Sequence, residues 1–340
     1  MSRATTTRRR FIRTTAAASA VATFGAPYIA RGAKKTLRLA TLAPDKSSWH
    51  VAFEETAREV YRRTNEELEI VIYAGGTMGD EAAMVRKMRH GQLDGGALTS
   101  VGLGEIDKQL LAPQIPMLFQ DEKQLHYVRE KMSSTFEGLL DKGGFKLGAW
   151  GDVGPIYIFS NTPVKTPDDL KSTKPWVWDT DPVSKAVMSV IGVNAVELGV
   201  PDVLPSLQTG LIDAFTNSPY GAIALQWYSK ATYVTNLKLS FGIGGSVLTT
   251  KAWNDLDPAH QQVLTDVTKE KYGELVDKIK KDNKKAIKSL KAAGIQVVEP
   301  DDFLRWAAVA VQVREKLVKD GTIDGAIVRQ MLEHIQNAPK

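Results

Sequence analysis

Apolar and polar positions alternate along TLRLATLAP (36–44) with the two-residue period of a half-buried strand, and the period then changes. In SSWHVAFEETAREVYRRT (47–64) the apolar residues Val51, Phe53, Val60 and Tyr61 fall at helical spacing, and a serine is placed to cap the helix. LEIVIYAGG (68–76) predicts a second strand stopped by glycines. MGDEAAMVRKMRHG predicts a short helix with an acidic start, a basic end and Gly91 as its terminator. LDGGALTS (93–100) predicts a third strand. This strand and helix order gives a parallel, doubly wound sheet, which binds ligands beyond the carboxyl ends of its strands. The loops at 42–49, 74–79 and 99–104 are therefore expected to face one crevice.

A similar organisation begins near residue 146. FKLGAWGD and PIYIFSN predict strands, TPDDLKS a capped helical turn, PWVWD a strand, and DPVSKAVMSVIG a helix ended by Gly192. VNAVELG, VPDVLPSLQTG and LIDAFTNSP then repeat strand, helix, strand. The succession of helix, glycine, aspartate and buried strand matches that of the first half, so two related α/β lobes are expected. Residues 259–293 predict one long helix with Tyr272, Leu275, Val276, Ile279, Ile287 and Leu290 on one side and lysines on a solvated face.

The chain has 340 residues, enough for about two domains. Its pI of about 9.1 raises nucleic acid or an anionic membrane surface as partners. The excess charge is local, however: residues 1–33 hold six arginines and no acidic residue, and taking these six from the 44 basic residues leaves 38 against 39 acidic ones. With no basic stripe, RNP-type segment or zinc-finger spacing, nucleic acid is not an expected partner. In the leader, TTTRRRFIRT precedes TAAASAVATFGAPYIA, a run too short and too weakly apolar to anchor in a bilayer. Thr7, Arg8, Arg9, Phe11, Ile12 and Arg13 resemble the twin-arginine consensus, which implies export of the folded chain to the periplasm and cleavage between Ala26 and Ala33. The absence of cysteine removes disulfide and thiol chemistry and fits an exported two-domain protein. No later apolar run approaches the length of a membrane span, so the mature chain is expected to be soluble.

Catalytic constellations are thin. The five histidines (His50, His90, His126, His260, His334) lie far apart, without an H-E-x-x-H pair or zinc-like spacing. There is no G-x-S-x-G elbow and no P-loop, and GLGEID and GIGGSV each fail the G-x-G-x-x-G pattern at its last position. Asp179 and Asp181 could form a carboxylate pair, but with Pro182 next they fit a turn and an N-cap better. No catalytic residue, metal or cofactor is expected, and the chain reads as no enzyme.

Longer blocks carry a resemblance. GTMGDEAAMVRKMRHGQLDGGALTSVGL, QIPMLFQDEKQ, GFKLGAWGDVG, SNTPVKTPDDLKSTK and VPDVLPSLQTGLIDAFTNSP resemble, in order and spacing, the signatures of the extracytoplasmic solute receptors of TRAP (tripartite ATP-independent periplasmic) transporters, C4-dicarboxylate-binding type. The likeness runs from about residue 36 to 270 and continues more loosely beyond. It implies a two-lobe periplasmic binding protein fold with doubly wound sheets, hinge strands and a long interlobe helix. Residues 34–153 plus 243–282 would form lobe one, and 154–242 plus 283–340 lobe two. The partners it implies are a small-molecule ligand, the TRAP membrane permease subunits and, from the leader, the twin-arginine export machinery; a homodimer is left open.

The resemblance also sharpens the site. Typical members hold the carboxylate of the solute with an arginine that follows the P-E-D-L-K-G-L helix, a bidentate geometry that lysine cannot reproduce. DDLKSTKPWVWD puts Trp176 where that arginine belongs, and DVGPIYIFSN has no counterpart of a second one. Asn217 survives where relatives have E-N-P, although it could equally cap the turn before Pro219. Losing the cationic partner of a buried carboxylate costs about 3–5 kcal/mol, whereas a tryptophan covers on the order of 200 Å² of apolar ligand surface. The expected solute therefore has a large apolar or aromatic area, held by Trp176 and also Trp178, Trp49, Tyr157, Phe215 and Tyr220, and oriented by Asn217 and Thr99. Trp178 and Trp49 fit core packing equally well; Trp150, Trp227, Trp253 and Trp306 fit it better than ligand contact. A lipid-handling or chemosensory binding protein on the same fold is the rival reading, which a long tunnel would favour. Arg86 or Arg89 could also replace the lost cation.

Overall fold

The computed structural model describes residues 34–339, so the expectations about the leader lie outside the described residues. Nine strands are described: β1 (Lys35–Thr41), β2 (Leu68–Tyr73), β3 (Gly95–Thr99), β4 (Phe145–Ser160), β5 (Trp176–Trp178), β6 (Val196–Leu198), β7 (Ala214–Asn217), β8 (Tyr233–Thr249) and β9 (Gln296–Val298). The α-helices are α1 (Ser48–Arg63), α2 (Glu81–Arg89), α3 (Ser100–Gly104), α4 (Glu122–Lys131), α5 (Ser133–Lys142), α6 (Pro182–Ile191), α7 (Val200–Thr209), α8 (Pro219–Ala224), α9 (Thr250–Asn254), α10 (Pro258–Ala292), α11 (Phe303–Lys319) and α12 (Gly325–Gln336). They build a mixed α/β fold of the expected class.

The local rules hold at the helix ends. Ser47 Oγ accepts from His50 N to start α1, and Asp181 accepts from Val183 N to start α6. Gly192 and Gly210 close α6 and α7 in the left-handed conformation, at φ +79° and +72°. TPDDLKS forms a two-turn 3₁₀ segment (Pro167–Ser172) whose capping box joins Thr166 and Asp169. Helix α1 departs from its expected face: Val51 is exposed, while Ala52, Thr56 and Val60 are buried against the sheet and α10. Val60 is buried as expected and Phe53 and Tyr61 are half-buried, but the buried positions 52, 56 and 60 recur every four residues in a single stripe that leaves Val51 outside it.

Strands are ordered β2-β1-β3-β8-β4-β7 in one sheet, with β9 also beside β8, and β5 and β6 form a separate parallel pair. The β1, β2 and β3 pairings are parallel, as the strand and helix order requires, and the β8 and β4 pairings within this order are antiparallel. FKLGAWGD and PIYIFSN are one 16-residue strand rather than two. Their junction is a bulge, where the β4/β8 register shifts between Asp152 and Gly154, opposite Ile243 and Gly242. The first half of β4 and the last half of β8 thus sit with β1–β3, and their other halves sit with β7 and β9. The division expected at 153/154 and 242/243 falls on this bulge.

Helix α10 runs beside both ends. Its 35 residues span about 52 Å at 1.5 Å each. Leu264 and Val267 pack with Leu37, Val60 and Leu68; Leu275 and Ile279 pack with Ala52; Leu290 packs with Phe159 and Phe215. Ile287, expected on the buried side, is exposed. Asn283 ties the helix to the bulge: its Nδ2 donates to the Val153 carbonyl (3.0 Å) and its Oδ1 accepts from Tyr220 N (3.0 Å).

Candidate functional site

A cavity of about 250 Å³ lies against the bulge. One wall comes from the carboxyl ends of β1 and β3, where Thr41–Pro44 and Ala97–Val101 turn into their helices. The opposite wall comes from β5, the start of α6 and the β7–α8 turn, and residues 242–245 of β8 form its floor. Of the three loops expected at the crevice, the first and third line it. The 74–79 loop does not, and instead approaches α7, where a Cβ on Gly76 would come 3.6 Å from Pro201.

Five of the residues singled out in the sequence line this cavity: Trp49, Thr99, Trp176, Trp178 and Asn217. Each indole N–H is already engaged in the frame. Trp176 Nε1 donates to the Leu198 carbonyl (2.9 Å), Trp178 Nε1 to Asp80 Oδ2 (2.9 Å) and Trp49 Nε1 to the Asp152 carbonyl (3.0 Å). The rings are therefore fixed and offer the cavity mainly their apolar faces. Trp176 and Trp178, two apart on β5, share a face with ring centroids 6.2 Å apart. Behind them Trp176 meets Trp227 edge-on at 5.1 Å, and Trp227 meets Phe215 at 5.4 Å. Trp227, which the sequence assigns to packing, does both: it is buried and also lines the cavity.

Tyr157, Phe215 and Tyr220 stand elsewhere. Tyr157 and Phe215 lie on the face of β4 and β7 opposite Ile156 and Thr216, which line the cavity; Asn217, paired with Tyr157 at the end of β7, reaches it as well. Phe215 stacks on Phe159 at 5.0 Å. Tyr220 lies against Trp49 (4.8 Å between centroids), its hydroxyl accepting from Ser48 N at 2.7 Å, so it buttresses a wall residue from behind. Asn217 Oδ1 accepts from Ser218 N (2.8 Å), a turn-capping bond made by a side chain that also lines the cavity.

Three carboxyl groups that sequence reasoning did not bring to this wall lie in it: Glu81, Asp152 and Asp181. Glu81 is wholly buried and accepts from Thr99 N, Thr99 Oγ1 and Gly102 N, each at 2.7 Å. Burial pushes its pKa up to about 7, against the pull of those donors. Burial likewise raises Asp181. Burial opposes the charge of Asp152 as well, but the His126 ring (2.5 Å) and the Arg129 guanidinium (2.8 Å) hold it below the ordinary range. Among the described residues no arginine, lysine or histidine lines the cavity; Arg129 stands behind Asp152, and Arg89 donates to the Glu105 carbonyl. Neither Arg86 nor Arg89 replaces the clamp. Gln114 Nε2 is a buried donor without a protein partner, on a residue that lines the cavity. Gln114 opens the QIPMLFQDEKQ block, but nothing there marks its side chain as a ligand contact, and Glu81 reads in the sequence only as an acidic helix start.

With this geometry in hand, comparison with known proteins gives a consistent picture. The family model described as bacterial extracellular solute-binding protein, family 7 (DctP), matches residues 39–320. The 2,3-diketo-L-gulonate-binding periplasmic protein YiaO of Escherichia coli is 25% identical over 310 residues, covering 89% of this chain and 93% of its own. The structure of a TRAP periplasmic solute binding protein from Roseobacter denitrificans with bound β-D-glucuronate superposes with a TM-score of 0.83 at 19% identity, covering 90% of this chain and 100% of that one. One from Desulfovibrio salexigens with bound orotic acid gives 0.81 at 22% identity, over 90% and 98%.

Proposed function

We propose that this chain, which belongs to the bacterial extracellular solute-binding proteins of family 7, encloses one small organic solute in the cavity at the bulge and delivers it to a TRAP-type membrane permease. The family consists of periplasmic transport receptors rather than enzymes. In this reading the two ends of the sheet act as lobes, 34–153 plus 243–282 and 154–242 plus 283–340, that close about the β4/β8 bulge. Residues 1–33 act as a twin-arginine export signal.

The relatives named above bind, by their descriptions, sugar acids and an aromatic acid. This chain differs at the point that matters for a carboxylate. Its cavity presents four tryptophans, Trp227 among them, and three carboxyl groups and, among the described residues, no cation. That charge pattern carries the proposal: the solute is neutral where it meets the wall and has a large apolar or aromatic area. Trp176, Trp178 and Trp49 would cover it, and Thr99 and Asn217 would orient it, with Tyr157, Phe215 and Tyr220 supporting the wall. An unpaired carboxylate enclosed here would lose about 3–5 kcal/mol, or a few hundredfold to a few thousandfold in affinity. A cavity of about 250 Å³ is at the small end of ligand sites and favours a compact solute over a two-chain lipid.

Native mass spectrometry of the purified protein should find a co-isolated neutral molecule, and calorimetric titration with succinate or D-glucuronate should give no binding tighter than millimolar. Micromolar binding of either acid to the wild-type chain would overturn the reading.

A further inference from the structure

A second, smaller cavity of about 70 Å³ lies between the β1–β3 end of the sheet and helices α1 and α10. Thr41, Phe53, Ala97 and Tyr272 line both cavities, so these residues are their common partition. At its centre the Phe53 ring stacks on Tyr272 with centroids 5.6 Å apart. Tyr272 is buried and its hydroxyl is bonded to Ser246, whereas Phe53 is half-exposed and apolar. Phe53 is thus the freer half of the partition.

The two spaces differ in chemistry. Leucine, isoleucine and valine, among them Leu39, Ile72 and Leu264, supply the bulk of the aliphatic wall of the inner chamber. Two of its threonine hydroxyls are bonded back to their own helices, Thr56 to the Ala52 carbonyl and Thr265 to the Gln261 carbonyl, both at 2.8 Å, and that of Thr41 accepts from Ala43 N. Lys146, which also lines the chamber, is paired with Asp141. No buried polar atom lacking a partner occurs on the chamber's lining among the described residues, whereas the outer cavity has the buried donor Gln114 Nε2. The chamber is thus mainly apolar, and of the two spaces only the outer cavity carries a buried donor without a partner among the described residues.

Resting on the solute reading above, we infer that the ligand is an elongated molecule. Its ring or head, bearing a neutral hydrogen-bond acceptor, lies among the tryptophans, and its slim alkyl tail passes Phe53 into the inner chamber. At roughly 10–15 Å³ per water-sized group, 70 Å³ holds about five such groups, which sets the tail at up to about five carbons.

The alkyl phenyl ketones test this, because acetophenone, valerophenone and heptanophenone keep one aryl carbonyl head and differ only in tail length. Calorimetric titration should show affinity rising by up to about fourfold per added methylene from acetophenone to valerophenone, then levelling off at heptanophenone. Thr268 lines the chamber but not the outer cavity, so Thr268→Phe should remove the gain and leave acetophenone within about twofold. Thr56→Leu serves the same purpose should the larger replacement not fold. Acetophenone binding with no gain from length, or a gain that persists in a folded chamber-filling variant, overturns the tail chamber alone. Failure of every ketone to bind overturns both this inference and the neutral, apolar solute on which it rests.

Discussion

Asp80 joins the two ends of the molecule, and removing it should loosen that junction selectively. Its Oδ1 accepts from Glu81 N (2.7 Å) and so caps its own helix α2. Its Oδ2 accepts at 2.9 Å from Trp178 Nε1 on β5 and at 2.9 Å from Val200 N at the start of α7. The fit is close, because a Cβ on Gly199 would lie 2.6 Å from the same oxygen. A hydrogen bond to a charged acceptor is worth about 1.5–3 kcal/mol, and part of the total is offset by relieving the buried carboxylate, whose pKa burial raises. The two crossing bonds together should therefore contribute about 2–4 kcal/mol. Asp80→Ser keeps a capping hydroxyl but is too short to cross, and Asp80→Ala loses the cap as well, at about 1 kcal/mol more. Native-state hydrogen exchange is the assay. In Asp80→Ser, protection of the Val200 amide and the Trp178 indole should fall by about 30- to 1000-fold while amides between β1 and β2 keep theirs. Unchanged protection at both donors, with only a uniform fall in global stability, would refute the view that Asp80 acts across the junction.

Two further predictions concern the cavity wall and the bulge. The Glu81 pKa, raised from 4.5 to about 7, means that the folded state holds a proton that the unfolded state has released, so stability is full below pH 4.5 and falls as the pH rises to 7. At about 1.4 kcal/mol per pH unit the loss is about 3 kcal/mol, and the slope should flatten in Glu81→Gln; denaturant titrations between pH 4.5 and 7.5 that show the same slope in both proteins would refute it. Gly154 sits at φ +104° with its Cβ position in collision with Asn283 Nδ2, so Gly154→Ala should cost about 2–4 kcal/mol in chemical unfolding, and a loss under about 0.5 kcal/mol would contradict the geometry.

What could be read from the sequence was decided locally. Ser47, Asp181, Gly192 and Gly210 mark helix ends because a cap or a left-handed residue acts within three or four positions of the chain. The pairing of Trp176 with Trp178 on one wall follows from strand alternation alone. Alternation does not say which face of a strand turns to the cavity when both faces are apolar. Tyr157 and Phe215 were drawn to the site by residue type, yet Ile156 and Thr216 occupy the facing positions. Glu81 illustrates the other limit. Its three donors lie 18 and 21 residues away, on a turn that reaches it only after β3 has paired, and a helix-start glutamate ordinarily needs no such partners.

The bulge explains why these separate facts belong to one site. Strands β4 and β8 serve both ends of the sheet, and the middle one of their three register shifts, at Asp152–Gly154, is where the proposed lobes would bend. Trp49 and Asn283 bond to the successive carbonyls of Asp152 and Val153, and Arg129 and His126 hold the Asp152 side chain. A shift of the bulge would therefore move a wall tryptophan, an ion pair and the long helix together. The arginine that the resemblance implies at the solute is not found in this wall among the described residues, and Arg129, behind Asp152, is committed to that carboxylate. Selectivity would then come from ring surfaces locked at their N–H groups, which can reject a misfit by shape but have no cation with which to hold an anion.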